Sequence, residues 1–275
     1  MTTATLTPDA LSYVCTMVRE RSAIELEASK SYLIEARLLP LAKQHGFAST
    51  NEFIQGVRVK RQPDLERRLV EAMTTNETSF FRDTHPFTAL RTKILPEICR
   101  LREASRSLSI WSAACSTGQE LYSIAMLIRE HFPALANWHV RLVGTDLSEE
   151  VLNRARDGKF SQIEVNRGLP APLLLKYFSR EGMTWQVKPE LRALGSFTKL
   201  NLIERWPTLP QMDVVFLRNV LIYFSPETKR DILRKVREVM APQAILFLGA
   251  AETTMGLDSS FERVEGDQSV YYRIK

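Results

Sequence analysis

The chain has 275 residues, enough for one large domain or a medium domain with a small companion, and its 44% hydrophobic and 25% charged residues are the profile of a soluble globular protein. No apolar run approaches the ~18 residues of a membrane helix, and the start Met1–Val14 lacks the basic opening and apolar core of a secretory signal, so the cytoplasm is the expected compartment. The net charge of +5 suits an acidic partner (RNA, an anionic membrane or an acidic protein surface), while three cysteines and four histidines fit no metal-ligand or disulfide spacing, which argues against a catalytic metal.

Residues 1–73 read as helical. Thr7, Pro8 and Asp9 form a helix start: a capping hydroxyl, a proline at the first helical position and an acid in the first turn. Leu11, Val14 and Val18 follow at helical spacing. A second helix is expected from about Ser29 to His45, with Ile34, Leu38 and Leu41 on its apolar stripe and Gly46 ending it. Pro40 should kink or divide it. Shorter helices are expected near Asn51–Val57 and Pro63–Met73, completing a small helical bundle. Residues 74–106 read as a linker and a further helix.

From Ser107 the texture alternates. Strands are expected at Leu108–Ser112, Val140–Thr145, Val214–Arg218, Ala244–Gly249 and Val270–Ile274. Helices are expected at Glu120–His131, Glu149–Arg156 and Pro226–Met240. Such alternation implies an α/β domain over 107–275, with a parallel sheet covered by helices on both faces. Residues 158–198 break the pattern with glycines and prolines among short mixed runs, and read as an inserted subdomain. Trp185–Val187 and Gly195–Thr198 are its candidate antiparallel strands.

Four segments carry candidate chemistry. The first strand exits into Ala113-Ala114-Cys115-Ser116-Thr117-Gly118-Gln119-Glu120, a loop of small residues that lets a ligand approach the backbone at the carboxyl edge of a sheet. It is not G-x-G-x-x-G, so the dinucleotide fingerprint fails, and taken alone the loop reads better as an ordinary tight turn. Asp146, at the tip of the next strand, is where a ribose diol finds an acceptor; alone, it would read as a helix cap. Phe216–Phe224 is an apolar strand ending in the polar pair Arg218-Asn219, with Tyr223 beyond it. Thr74–Asp83 is dense in hydrogen-bonding side chains and carries the pair Phe80-Phe81; the bland reading is a capped linker.

Together these segments resemble the CheR-type chemotaxis-receptor glutamate methyltransferases over nearly the whole chain. Asn76-Glu77-Thr78-Ser79-Phe80-Phe81-Arg82 is similar to that family's N-x-T-x-F-F-R signature. Ala114–Glu120 with Tyr122-Ser123 is similar to its A-C-S-T-G-E-E-x-Y-S loop, and Thr145-Asp146 and Arg218–Phe224 also match. The resemblance implies a class I S-adenosylmethionine-dependent methyltransferase sheet with a small N-terminal helical domain and an inserted small antiparallel β-subdomain. It assigns cofactor contacts to Asn76, Thr78, Arg82, Glu120, Asp146, Asn201, Leu202, Arg218 and Asn219. Asn201-Leu202 is matched to the family's N-L pair and had no signal of its own. It further implies that Arg82 steers the substrate carboxylate and Tyr223 fixes its geometry. Cys115 belongs to the signature as a small loop residue; no histidine or base pattern marks it as a nucleophile.

The chemistry so implied needs no metal and no general base, because a glutamate with a reference pKa of ~4.3 is already ionised at neutral pH. The implied partner is the cytoplasmic helical domain of methyl-accepting chemoreceptors, met by the helical domain and its modest basic face. Relatives that dock a receptor's C-terminal pentapeptide carry a glycine-rich loop in the inserted subdomain. Here Tyr177–Trp185 is shorter and holds only Gly182, so independence of that tail is expected. Two rivals were weighed. A nucleic-acid methyltransferase would carry an (N/D)-P-P-(Y/F) turn or a Pro-Cys pair, and the chain has neither. A cofactor-sensing module without turnover is the rival of another class. Neither nucleic acid nor direct membrane insertion is expected.

Overall fold

Thr7 opens the first helix through its side chain: the hydroxyl accepts the Ala10 N–H at 3.3 Å, and Pro8 takes the first helical position of α1 (Pro8–Ser22). A computed structural model describes residues 6–266 and 269–275; residues 1–5, which belong to the stretch read as lacking a secretory signal, lie outside the described residues. Three more helices follow: α2 (Ser31–Gln44), α3 (Thr50–Lys60), which Ser49 caps by accepting the Glu52 N–H at 3.1 Å, and α4 (Pro63–Met73). Val14, Val18, Leu38, Phe53, Val57 and Leu69 are buried among them. These helices and the later segment Tyr223–Thr228 form one compact unit, in which the Glu25 N–H donates to the Tyr223 carbonyl at 3.1 Å.

The second helix is not divided at Pro40: α2 runs from Ser31 to Gln44 through it. Proline removes one i→i−4 bond, here to the carbonyl of Ala36. Ala36 and Pro40 are both exposed, so the lost bond lies on the solvent face of the helix, while buried Ile34, Leu38 and Ala42 hold the other face. Arg37, on the same helix, is committed inward. Its guanidinium donates to the carbonyls of Met73 (2.8 Å) and Thr74 (3.2 Å) and to the Thr75 hydroxyl (3.1 Å). A cation there satisfies the carbonyls that α4 leaves open at its C-terminus.

The second unit comprises Asn76–Ile222 and Lys229–Lys275, so the stretch read as a linker belongs to it from Asn76 onward. It opens with α5 (His85–Ala89) and α6 (Leu95–Leu101), joined by a π-helical turn over Leu90–Ile94. Then come β1 (Ser107–Ala113), α7 (Gln119–His131), β2 (His139–Asp146) and α8 (Glu149–Asp157). The inserted part holds β3 (Lys159–Ser161), α9 (Gln162–Asn166), α10 (Ala171–Tyr177), β4 (Phe178–Glu181), β5 (Thr184–Val187) and α11 (Pro189–Arg192). The chain continues through β6 (Gly195–Lys199), β7 (Met212–Leu217), α12 (Pro226–Val239), β8 (Met240–Leu248), β9 (Phe261–Gly266) and β10 (Ser269–Ile274).

Seven strands make one sheet in the order β6-β2-β1-β7-β8-β10-β9. Neighbours pair in parallel from β6 to β8, and β10 runs antiparallel to both β8 and β9. This is the class I S-adenosylmethionine methyltransferase fold. Strand β1 is flanked by β2 on one side and β7 on the other, so the chain reverses its direction of winding there. Such a switch point opens a crevice at the carboxyl ends of the strands. The buried runs Leu108–Ala113 and Met212–Leu217 explain why β1 and β7 occupy the centre.

Gly195–Thr198 corrects the expectation of an antiparallel strand in the insertion. It pairs in parallel with β2, from Leu142↔Gly195 to Asp146↔Lys199, and forms the edge of the main sheet. The reason is a side-chain fit: the ring of buried Phe197 lies where a Cβ on Gly144 would be, within 2.7 Å. The small antiparallel sheet is β3-β5-β4, and it ends at Val187. The helices of the insertion are too short to show a period, and β9 carries three charges (Glu262, Arg263 and Glu265) among its six residues, so neither was legible in the sequence. Among the described residues no helix is long and apolar enough to cross a membrane.

Replacing Arg37 with alanine should cost roughly 1.5–3 kcal/mol of stability, the range for hydrogen bonds to a charged group. Lys43→Ala, on an exposed face of the same helix, should stay within about 0.5 kcal/mol. Urea unfolding of the two variants checks the contrast; equal stability would remove Arg37 from its capping role.

Candidate functional site

Backbone strain marks the site. Among the described residues ten non-glycine positions have positive φ, and six of them lie in three loops: Phe81, Asp83 and Thr84; Ala114 and Ser116; and Asn219. Left-handed conformations of this kind cost about 1–3 kcal/mol each and persist only where the surroundings enforce them. The second loop leaves β1 and the third leaves β7, the two strands at the switch point.

Arg218, the first residue past β7, lies in the centre with 3% of its side chain exposed. It donates to Glu120 at 2.9 Å, to Asp83 at 2.6 Å and to the carbonyl of Arg82 at 3.0 Å. Glu120, in the first turn of α7, is held from its other oxygen by the Ser112 hydroxyl at 2.8 Å. One guanidinium thus ties the exits of β1 and β7 to the Phe81–Thr84 segment. Its Nε is buried without a partner. The two aromatics that precede Arg82 serve the core. Phe80 packs edge-on to Phe160 of β3 and Phe178 of β4, and Phe81 to Phe87 of α5. Arg82 itself is half-buried and donates to the Glu77 carbonyl at 3.0 Å.

Asp146 closes β2 and is buried. Its two oxygens accept the Ser116 N–H at 2.9 Å and the Ser148 N–H at 3.0 Å, so it grips the loop after β1 and the start of α8 together. The Ser116 hydroxyl reaches the Asn76 carbonyl at 2.8 Å, bringing the 76–82 segment to the same edge, with Thr78 half-buried in it. Asn201 and buried Leu202 follow the end of β6, whose next residue, Leu200, donates to the Asp146 carbonyl at 2.9 Å. Lys235 holds this turn through the carbonyls of Leu202 (2.6 Å) and Glu204 (3.1 Å). Asn219, beside Arg218, has its N–H taken by Glu252 at 2.8 Å.

Nine of the ten residues singled out in the sequence, namely Asn76, Thr78, Arg82, Glu120, Asp146, Asn201, Leu202, Arg218 and Asn219, therefore lie in the α/β unit at or beside the carboxyl edge of its sheet. Tyr223 does not belong to that set: its segment is part of the helical unit. No local signal in the sequence gives Asp83 or Ser112 a role of its own. Asp83 directly follows Arg82, but its partner Arg218 is 135 residues away, and no spacing rule announces such a pair.

The donor set fits S-adenosylmethionine. Three carboxylates, Asp83, Glu120 and Asp146, stand against the one buried guanidinium of Arg218, an acidic balance that favours a cationic ligand. They also supply acceptors for hydroxyl and ammonium groups, while the orphaned Arg218 Nε and the guanidinium of Arg82 are donors for a carboxylate. Cys115 is set apart from this chemistry. Burial, reinforced by Asp146 and then Glu120, pushes its thiol well above the usual range, which keeps it protonated and inert. Among the described residues no cluster of three or more His, Cys, Asp or Glu side chains is arranged to hold a metal ion.

Comparison with known proteins gives the same two parts. Residues 9–74 match the family model "CheR methyltransferase, all-alpha domain", and residues 76–270 match "CheR methyltransferase, SAM binding domain". Chemotaxis protein methyltransferase 1 of Pseudomonas aeruginosa is 41% identical over 256 residues, covering 92% of this chain and 93% of that protein. Chemotaxis protein methyltransferase Cher2 of Pseudomonas putida is 39% identical over the same shares. Chemotaxis protein methyltransferase 1 of Vibrio cholerae is 37% identical over the whole of both chains.

The state of Cys115 is open to a direct check. Iodoacetamide at pH 8 should leave it unmodified in the folded protein and alkylate it readily in urea, as peptide mass mapping will read. Native-state labelling as fast as in urea would contradict the burial that holds the thiol up.

Proposed function

The chain belongs to the CheR methyltransferase family, and from that premise we propose that it transfers a methyl group from S-adenosylmethionine to glutamate side chains of chemoreceptors, forming glutamyl methyl esters in the cytoplasm. The observation that carries this reading is the pairing of Asp83 and Glu120 with buried Arg218 at the sheet's switch point, beside the β1 exit loop that Asp146 grips and the loop that carries Arg82. It favours a catalyst over a sensing module because a guanidinium suited to a substrate carboxylate sits in the loop that also borders the cofactor's candidate ligands.

In this reading Asp146 accepts the ribose hydroxyls, with its orientation preset by the Ser116 and Ser148 N–H groups. Glu120 and Arg218 receive the charged groups of the cofactor's amino-acid end. Asn76, Thr78, Asn201, Leu202 and Asn219 complete the walls. The bound cofactor supplies a methyl group on a sulfonium centre, whose departure leaves a neutral thioether. The chain's own work is orientation and exclusion of water from two charged reactants. No residue has to remove a proton, since the glutamate is ionised at neutral pH. Arg82 draws the incoming carboxylate by charge and by its planar fork.

Two substitutions separate these roles. Asp146→Ala should weaken binding of S-adenosylhomocysteine roughly tenfold or more, the loss of about 1.5–3 kcal/mol of charged hydrogen bonding. Arg82→Ala should depress turnover on receptor-containing membranes at saturating cofactor, with Arg82→Lys recovering part of it. Base-labile methyl label on the receptor reads the product. Full turnover by Arg82→Ala would remove the steering role, and unchanged affinity of Asp146→Ala the ribose contact.

We also propose that the enzyme works without a receptor's C-terminal pentapeptide. A docked tail would add a strand to an edge of the small sheet. Here β4 and β5 are joined by the two residues Gly182 and Met183, with Gly182 at φ +60°, a tight turn in place of a glycine-rich loop. Recognition would instead fall to the helical unit and the receptor's helical bundle, through exposed charges that weaken as salt rises. Free receptor pentapeptides should show no measurable binding by calorimetry, and removing a receptor's tail should leave methylation nearly unchanged; micromolar peptide affinity would refute this.

A further inference from the structure

The loop that carries Arg218 and Asn219 lies beyond the end of β7 and has lost its strand partners. Its backbone N–H groups need acceptors once the ladder stops. They find them in one side chain, Glu252, supplied by the turn after β8. One carboxylate oxygen accepts the N–H groups of Asn219 at 2.8 Å and Gly249 at 2.6 Å. The other accepts those of Val220 at 2.8 Å and Ile222 at 3.3 Å. The turn is closed on itself by the Glu252 N–H, which donates to the Gly249 carbonyl at 2.9 Å.

Gly249 completes the clamp. A Cβ at this position would stand 2.7 Å from Asn219 Nδ2, 2.7 Å from the Glu252 carboxylate and 2.8 Å from the Asn219 backbone nitrogen. The exits of β7 and β8 therefore meet backbone to backbone, and Asn219 is held in the left-handed region at φ +58° while it does so. A conformation of that kind needs an enforcing partner, and a carboxylate bonded to four N–H groups is one.

We propose that Glu252 is a positioning residue for cofactor binding, which presets the Arg218–Ile222 loop by bridging four backbone amides. This rests on the reading of Arg218 and Asn219 as cofactor contacts. Glu252 acts through them and touches neither the cofactor nor the substrate. Its action requires acceptor oxygens on both arms. Glutamine has the same size but turns an NH2 group toward two N–H groups in either rotamer, so Glu252→Gln removes one arm of the bridge at constant volume. Alanine removes both and leaves a space that formate, a carboxylate of minimal size, fits.

The experiment is calorimetric titration of Glu252→Gln, Glu252→Ala and Asn219→Ala with S-adenosylhomocysteine. Each is run beside a thermal melt, in sodium formate and in sodium chloride of equal ionic strength. Affinity should fall about tenfold in both Glu252 variants, and formate, unlike chloride, should return most of it to Glu252→Ala. A merely structural role would lower the melting temperature and leave affinity and the formate response unchanged. A folded Glu252→Gln that binds like the parent protein overturns the proposal, as does a weakened Glu252→Ala that formate does not restore. If Glu252→Ala does not fold, Glu252→Gln carries the decision alone. Unchanged affinity in Asn219→Ala would retire that residue as a cofactor contact, and weakened Glu252 variants beside it would then show the clamp acting through Arg218.

Discussion

A guanidinium removed from water must be met by charge, and the burial of Arg218 organises what surrounds it. Losing one partner of a buried ion pair typically costs about 3–5 kcal/mol, because the remaining charge is left uncompensated. Arg218 is met by Glu120 and Asp83, and Glu120 is oriented in turn by Ser112. Asp83 can reach it only if the chain after Phe80 bends sharply, which accounts for three left-handed residues between Phe81 and Thr84. The strain of that bend is offset by the ion pairs and by the packing of Phe80 and Phe81 on either side of the segment. A loop that composition alone would make a linker is thereby fixed against the sheet.

The same device recurs at other strand ends. Asp146 accepts two backbone N–H groups at the tip of β2, and Glu252 accepts four at the tips of β7 and β8. At the opposite edge buried Asp213, in β7, accepts the Ser109 N–H of β1 at 2.8 Å and pairs with Arg102 at 2.8 Å. In each case a carboxylate replaces the missing rungs of a ladder with charge-assisted hydrogen bonds, which are shorter and stronger than neutral ones. Loops held in this way are preorganised, and a preorganised site spends less of its ligand's binding energy on ordering itself.

The helical unit follows a different logic. Its core is apolar, with Phe53 buried among aliphatic side chains, and one of the two cations of α2, Arg37, is used to cap α4. That leaves Tyr32, Leu33, Ala36, Pro40, Lys43 and Gln44 as the exposed residues of α2, a surface with a single charge. The basic character of the chain therefore does not translate into a basic stripe on this helix.

Much was legible in the sequence because the signals are local. Thr7-Pro8 announces a helix start by capping chemistry, and the apolar runs of β1, β7 and β8 announce buried strands by their length and flanks. The four motif segments identify the family, since they recur in order along nearly the whole chain. What no local signal contained was which distant groups meet. Gly195–Thr198 has the composition of any short strand, and only the fit of Phe197 over Gly144 assigns it to the main sheet in parallel register. Pro40 reads as a breaker, and only its exposure makes it harmless. No local signal in the sequence assigns a role to Asp83 or Glu252. Their roles depend on an arginine 135 residues away and on amides about 30 residues away, brought together by the crossing of the chain at β1. Periodicity and capping act over a few residues and are written in order along the chain. Ion pairing and backbone satisfaction act through space, so the tertiary structure alone decides them.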